Sequence, residues 1–243
     1  MKINELGQLL RPRAEALLER ARCLEQDMAQ HEAVGQLKIG ATMTIGNYLA
    51  VGLMARYLDE QPRAKLDLQV ANTSAITARL LNFDLDIGLV EGEVQHPDLE
   101  VIPWLSDQLE VFCAPDHPLT HQHQLSDADL LAARWILREQ GSGTRQAFDW
   151  ALHGLLPNLD VVMELEHAEG IKQAVAQGLG IGCVSRIALQ ESFQLGTLVP
   201  LRVAHRNFSR QLYLVMNRHK YRSAGIKRWI ELCHQARGVS GGD

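Results

Sequence analysis

The sequence is poor in aromatic residues, which make up 5% of it, and has neither a basic surplus nor a long apolar run. No stretch approaches about 18 uninterrupted apolar residues, so no segment reads as a membrane-spanning helix. Lysine and arginine number 24 against 29 aspartate and glutamate, a formal net charge of −5 with neutral histidines. Chains that wrap nucleic acid usually carry a basic surplus, so these residues make a poor direct binder of DNA or RNA. Cysteine is scarce and scattered. Cys23, Cys113, Cys183 and Cys233 form no CxxC or Cys/His ligand spacing, which argues against a metal site and against a disulfide framework. The opening Met1 to Glu5 lacks the apolar stretch of a signal peptide, and together with the isolated thiols it points to a reduced, cytoplasmic setting. What is present is 243 residues, 46% hydrophobic and 22% charged: a globular chain with room for one large domain or two small ones.

The chain opens on a heptad. Ile3, Gly7, Leu10, Ala14, Leu17, Ala21, Leu24 and Met28 recur in steps of four and three, flanked by charges, which is the seam of a short coiled coil. Pro12 predicts either a bend there or a continuous helix that starts near Arg11. This segment, residues 1–34, reads as a linker or dimerisation helix set off by the loop around Gly35. Packing on its own domain is the alternative.

From residue 36 the grammar is strand, polar turn, helix. Leu37 to Ala41 reads as a strand, Thr42 to Thr44 as a turn, and Leu49, Leu53 and Tyr57 as a helical stripe ending before Pro62. Leu66 to Val70 alternates strictly, as a half-buried strand does. Asn72, Thr73 and Ser74 form a cluster of capping residues ahead of a helix with Ile76, Leu80 and Leu81 inward, and Asp86 to Val90 is a buried strand. The pattern repeats later. Trp135 to Leu137 leads through Gly141 to Thr144 into a helix carrying Phe148, Trp150, Ala151 and Leu155. Val161 to Leu165 leads through His167 to Glu169 into a helix with Ile171 and Val175, then the strand Ile181 to Val184. Ile87-Gly88 and Ile181-Gly182 occupy equivalent places. Such alternation implies parallel sheets, and the repeat implies two related α/β subdomains.

Open parallel sheets hold ligands at the carboxyl ends of their strands, where helix N-termini point. The turns at these ends are rich in hydroxyls and glycine: Thr42, Met43 and Thr44, then Asn72, Thr73 and Ser74, then Ser142, Gly143 and Thr144. Free helix-start amides with hydroxyl donors suit a small anion. Ordinary N-capping explains any one turn alone, whereas several together favour a cleft that closes on a ligand. His167, at the start of a helix, fits a capping or ligand-contact role, with Glu169 beside it. Enzyme motifs fail: Gly178 to Gly182 follows a helix and enters a strand, the reverse of a dinucleotide loop, and Ser142 is outside any GxSxG elbow. His117, His121 and His123 lie in a Pro-bounded polar loop and read as solvated. No catalytic residue, metal or cofactor is expected.

The order and spacing of several runs resemble the regulatory half of the LysR-type transcriptional regulators. The carriers are Asn4 to Leu10 with the following helix, Leu37 to Gly40, Asp84 to Leu89, Pro115 to Leu119, and Val175 with Gly178 to Ile181. Thr44 to Tyr48, Pro103 to Leu105 and Trp135 to Arg145 resemble the YeiE-like branch of that family, with CysB-like members more distantly similar. The resemblance implies two Rossmann-like α/β subdomains joined by crossover strands, a periplasmic-binding-protein-like type 2 fold preceded by a linker helix. Subdomain I would take residues 36–107 and 218–237, and subdomain II residues 108–217. A small effector would sit in the inter-subdomain cleft and control DNA binding and transcription. In CysB-like members a sulfur oxyanion is held by hydroxyls and helix-start amides, matching Thr42, Thr44, Ser74 and the Ser142/Thr144 turn, although Ile45 stands where that pattern has glutamine. The resemblance to the YeiE-like branch makes a small oxyanion such as sulfite or sulfate the leading effector. The family implies a homodimer or tetramer, and DNA contact through an N-terminal winged helix-turn-helix that these residues do not supply. Two other classes remain open: a two-lobed solute-binding protein for a small anion, and a hydrolase using Ser142, His167 and Glu169.

Overall fold

The computed structural model describes residues 5–29 and 36–236. They fall into two compact units, unit 1 running up to Leu105 and again from Tyr213, unit 2 being the continuous stretch Ser106–Leu212.

Helix α1 (Glu5–Ala29) neither starts nor stops at Pro12 but passes through it. Arg11 and Glu15, one turn apart, pair at 2.7 Å across that point. Its heptad positions Leu10, Ala14, Leu17 and Ala21 are exposed, and Ala16, on another face, is buried. Ile3 and the loop around Gly35 lie outside the described residues.

Unit 1 is built on β1 (Gln36–Ala41), whose Leu37, Ile39 and Ala41 are buried. The helix after it is not uniform. Helix α2 (Met43–Ile45) passes through a π turn at Gly46–Ala50 into α3 (Val51–Glu60). A Cβ on Gly46 would come within 2.7 Å of Val70, so the widened turn is seated against the end of β2 (Lys65–Val70). β1 pairs in parallel with β2 from Gln36↔Lys65 to Ala41↔Val70. The alternation expected of β2 is not realised. Its interior residues are all half-buried, because it is paired on one side only, with β1, and neither face is fully covered. Helix α4 (Thr73–Leu81) follows, with the Asn72 side chain accepting the Ala75 amide at 3.0 Å, and buries Ile76 and Leu80 while Leu81 is only half-covered. β3 (Ile87–Val90) pairs in parallel with β1 and is buried throughout.

β4 (Leu99–Cys113) carries the chain into unit 2, where α5 (Asp127–Ala132) starts on a reciprocal Ser126/Asp129 capping box. Then come β5 (Arg134–Arg138), α6 (Gly143–Ala151), β6 (Asp160–Leu165), α7 (Ala168–Ala176), β7 (Ile181–Ser185), α8 (Arg186–Gln194) and β8 (Val199–Leu201). β5 lies parallel to both β6 and β7, and β4 runs antiparallel to β7 and β8. Alternate residues face opposite sides. Trp135, Leu137 and Cys183 therefore join one core cluster with Phe148, and Ile136 and Val184 join another with Ile171 and Leu189. The helix expected to carry Trp150 and Leu155 ends at Ala151, short of Leu155, and Trp150 within it is 71% exposed. Phe148 and Ala151 already fill the inward stripe, and Trp150, two residues from one and one from the other, falls outside it.

β9 (Ser209–Asn217) returns to unit 1, where its far end pairs with β3 antiparallel, and α9 (Ala224–Ala236) packs on α3. Tyr57 and Trp229 meet there with ring centroids 5.8 Å apart, and Arg228 pairs with Glu60 at 2.6 Å.

The repeated Ile-Gly pairs have a common cause. A Cβ on Gly88 would lie 2.8 Å from Leu80 and 3.0 Å from Ile76 of α4, and one on Gly182 would lie 2.9 Å from Ile171 of α7. In both units a helix lies flush on its strand because the strand has no side chain at that point. Gly180 is tighter still, since its Cβ would meet the Arg134 carbonyl oxygen at 2.4 Å, and backbone cannot rotate away. Gly180→Ala is expected to cost about 1 to 3 kcal/mol in urea unfolding. A loss below about 0.5 kcal/mol would show that the start of β7 can move off β5.

Candidate functional site

In unit 1, β1 and β2 end side by side, and the Ala71 amide bonds to the Ala41 carbonyl at 3.1 Å just past those ends. The turns Thr42 to Thr44 and Asn72 to Ser74 therefore open next to one another. Thr42, Thr44 and Thr73 are buried, Met43 and Asn72 half-buried, and Ser74 exposed. The Oγ1 atoms of Thr42 and Thr73 are buried without a hydrogen-bond partner. Buried hydroxyls are nearly always paired, so two orphans on adjacent strand ends are a departure from the rule.

The helix-start amides are not free as expected. Glu91, the residue after β3 and 3% exposed, turns its carboxylate onto them. Its Oε1 accepts the amide of Thr44 at 2.6 Å and that of Ile45 at 3.3 Å. The cause is general: a buried helix start presents orphan N–H groups and the positive end of its dipole, and an internal carboxylate answers both.

In unit 2, Ser142 caps α6, its Oγ accepting the amides of Thr144 at 3.2 Å and Arg145 at 3.4 Å. Both contacts are long, so the cap is weak. The Thr144 hydroxyl accepts from Arg210 Nη1 at 3.0 Å. Arg210 in turn donates through Nε to Asp107 at 2.7 Å, and the other Asp107 oxygen accepts from the Ser185 hydroxyl at 2.9 Å. This four-residue network joins β4, β7, β9 and the start of α6, and all of it is buried. Gly143 is buried beneath the same turn. Nearby Arg138, only 2% exposed, is forked onto Glu139, and Arg145 bonds Asp149 and Glu164.

His167 occupies the N-cap position of α7 but is exposed, and its side chain makes no capping bond, so the capping role does not hold. Its backbone carbonyl accepts the Ile171 amide as the first bond of the helix. Glu169 is exposed and paired with Lys172 at 2.8 Å. Burial pushes the thiols of Cys113 up to about 11 and Cys233 up to about 12, and raises that of Cys183 as well, which keeps all three protonated near neutral pH. Among the described residues no group of three or more His, Cys, Asp or Glu is placed to hold a metal, and no helix is long and apolar enough to cross a membrane.

Glu91, Asp107, Ser185 and Arg210 are the residues that sequence reasoning missed. Only Glu91 gave a signal, being the first polar residue after a fully buried strand and hence at the carboxyl edge of its sheet.

The family profile described as LysR substrate binding domain matches residues 30–238. An uncharacterized HTH-type transcriptional regulator of Escherichia coli strain K12, YeiE, is 40% identical over 234 residues, spanning 96% of this chain and 79% of that protein. The HTH-type transcriptional regulator CysL of Bacillus subtilis strain 168 is 33% identical over 191 residues, 74% of this chain and 63% of CysL. Among solved structures, the regulatory domain of Synechocystis PCC6803 CcmR in complex with 2-PG superposes with a TM-score of 0.78 at 26% identity, covering 85% of this chain and 99% of that one.

Proposed function

This chain belongs to the LysR substrate-binding domain family, and from that premise we propose that it senses a small oxyanion, with sulfite and sulfate as first candidates. Its relatives are transcriptional regulators and the family is one of effector-binding domains, not enzymes. The observation that carries the oxyanion reading is the pair of orphaned hydroxyls, Thr42 and Thr73, at adjacent strand ends in unit 1. A hydroxyl satisfied by nothing in the protein has a proton to give, and an anion with several oxygens accepts more than one. Thr44, Met43, Asn72 and Ser74 frame the same turns. In unit 2 the reading assigns Ser142, Gly143 and Thr144, backed by Arg210, with His167 and Glu169 as exposed outliers. The CcmR regulatory domain solved with 2-PG supports a small ligand for this fold. In this reading DNA is contacted by a helix-turn-helix module of the kind named for YeiE and CysL, and this acidic chain supplies the sensing. The open heptad seam of α1 supports assembly as a homodimer or tetramer, and the protonated thiols suit a cytoplasmic setting.

The test uses thermal shift and calorimetry with sulfite, sulfate, thiosulfate and small carboxylates. Saturable stabilisation by at least one oxyanion is expected. Thr42→Val and Thr73→Val should each weaken it about fivefold to tenfold while leaving the unliganded protein as stable or slightly more so, because each removes an unpaired buried hydroxyl. Thr44→Ala and Ser142→Ala probe the two units separately. If no oxyanion stabilises the protein, or if both valine variants bind it unchanged, the reading is wrong.

A further inference from the structure

A cavity of about 310 Å³ opens on unit 2 and uses none of the residues assigned above. Its walls come from the 3₁₀ turn Pro118–His121 with the preceding His117, from the passage out of α5 into β5, and from the turn Gly178 to Gly180 ahead of β7. Pro118, Leu119, Ala132 and Leu179 give it an apolar lining, and Leu179 is 40% exposed.

Two opposite charges share that lining. Arg134, an exposed cation, is one of its lining residues. Asp129 is another, and the Ser126 hydroxyl and amide and the Gln122 side chain hold its carboxylate below the usual carboxylate range. Those three donors leave one of about four acceptor positions of a carboxylate open. His117 adds a neutral donor: its Nδ1 accepts the Leu119 amide at 3.2 Å, which places the ring proton on Nε2, and burial keeps the ring below its ordinary pKa.

We propose that this cavity is a second small-molecule site and that it takes a free α-amino acid with an apolar side chain. The ligand carboxylate meets Arg134, its ammonium meets Asp129, and its hydrocarbon branch lies on Leu119 and Leu179. A ligand with one charge leaves the opposite lining charge unanswered, and a purely polar zwitterion leaves the apolar wall wet. The volume is at the small end for ligand pockets, which suits a single amino acid rather than a peptide or nucleotide.

The experiment is calorimetry on the whole chain with L-leucine, with 4-methylpentanoate and 3-methylbutylamine as its singly charged analogues. L-leucine should saturate in the millimolar range, and each analogue should bind about tenfold more weakly or worse. Arg134 and Leu179 are exposed enough to be changed without unfolding the protein. Arg134→Ala should weaken leucine about tenfold, Leu179→Arg should abolish binding, and Thr42→Val should leave it unchanged, separating this site from the oxyanion turns. The proposal is overturned if leucine does not saturate, if either analogue binds as well, or if both cavity variants bind leucine normally.

Discussion

Asp107→Ala should destabilise unit 2 by about 3 to 5 kcal/mol, among the larger single-residue losses the chain can show. The Asp107 and Arg210 side chains are 2% and 4% exposed, and the carboxylate takes the guanidinium at 2.7 Å and the Ser185 hydroxyl at 2.9 Å. Removing it strands a buried cation, and the full desolvation penalty of that cation then falls on the folded state. The companion Asp107→Leu/Arg210→Met should recover most of the loss, because neither charge then remains to be solvated. Urea unfolding followed by tryptophan emission reads both, since Trp135 lies in the same unit. A single-variant loss under about 1 kcal/mol would mean that Arg210 finds another carboxylate or water at no cost. The double variant also separates stability from sensing: Thr144 loses its Arg210 donor in it, so effector affinity should stay lowered although the fold is restored.

Glu91→Ala is the second large effect, with a loss of about 2 to 4 kcal/mol in the absence of ligand. The two amides of Thr44 and Ile45 lose a charged acceptor at a buried helix start. Added oxyanion should then stabilise the variant more than it stabilises the parent protein, because it can take the seat the carboxylate vacates. An anion at about a hundred times its dissociation constant returns roughly 2.7 kcal/mol by mass action. The outcome that sinks this account is a variant whose melting temperature falls but responds to sulfate and sulfite no better than the parent. That would leave Glu91 as a purely structural cap, and the seat closed to anions.

The layer order of the fold was largely visible in the residues, and so were the positions of its turns. Asn72 and Ser142 announce their helices as capping residues, and Gly88 and Gly182 announce the repeat; each is a local cause acting within a few residues. The misses came from distant partners. β2 alternates in sequence, yet its burial depends on how many strands flank it. Trp150 reads as core because it is apolar, whereas Phe148 and Ala151 already fill the inward stripe of α6. The turns that carry Thr42 and Thr73 were legible locally, but the occupation of the Thr44 and Ile45 amides by Glu91 was not, since 47 residues separate Thr44 from Glu91. The Asp107–Arg210 pair, 103 residues apart, is of the same kind.

The chain enters unit 2 along β4 and leaves it along β9, so unit 2 is continuous in sequence while unit 1 is assembled from two separated stretches. A ribosome extrudes residues in order, at roughly 5 to 20 per second. Unit 2 can thus complete its fold once the first residues of β9, up to Leu212, have emerged and while the rest of β9 and α9 are still being made, whereas β3 waits with one edge bare until its partner residues Tyr213 to Val215 emerge. For roughly 10 to 30 seconds the nascent chain holds Tyr57 without Trp229 and Glu60 without Arg228. That interval is when a chaperone has most to cover, and a premature stop after about residue 212 would leave a finished unit 2 tethered to an open, aggregation-prone unit 1.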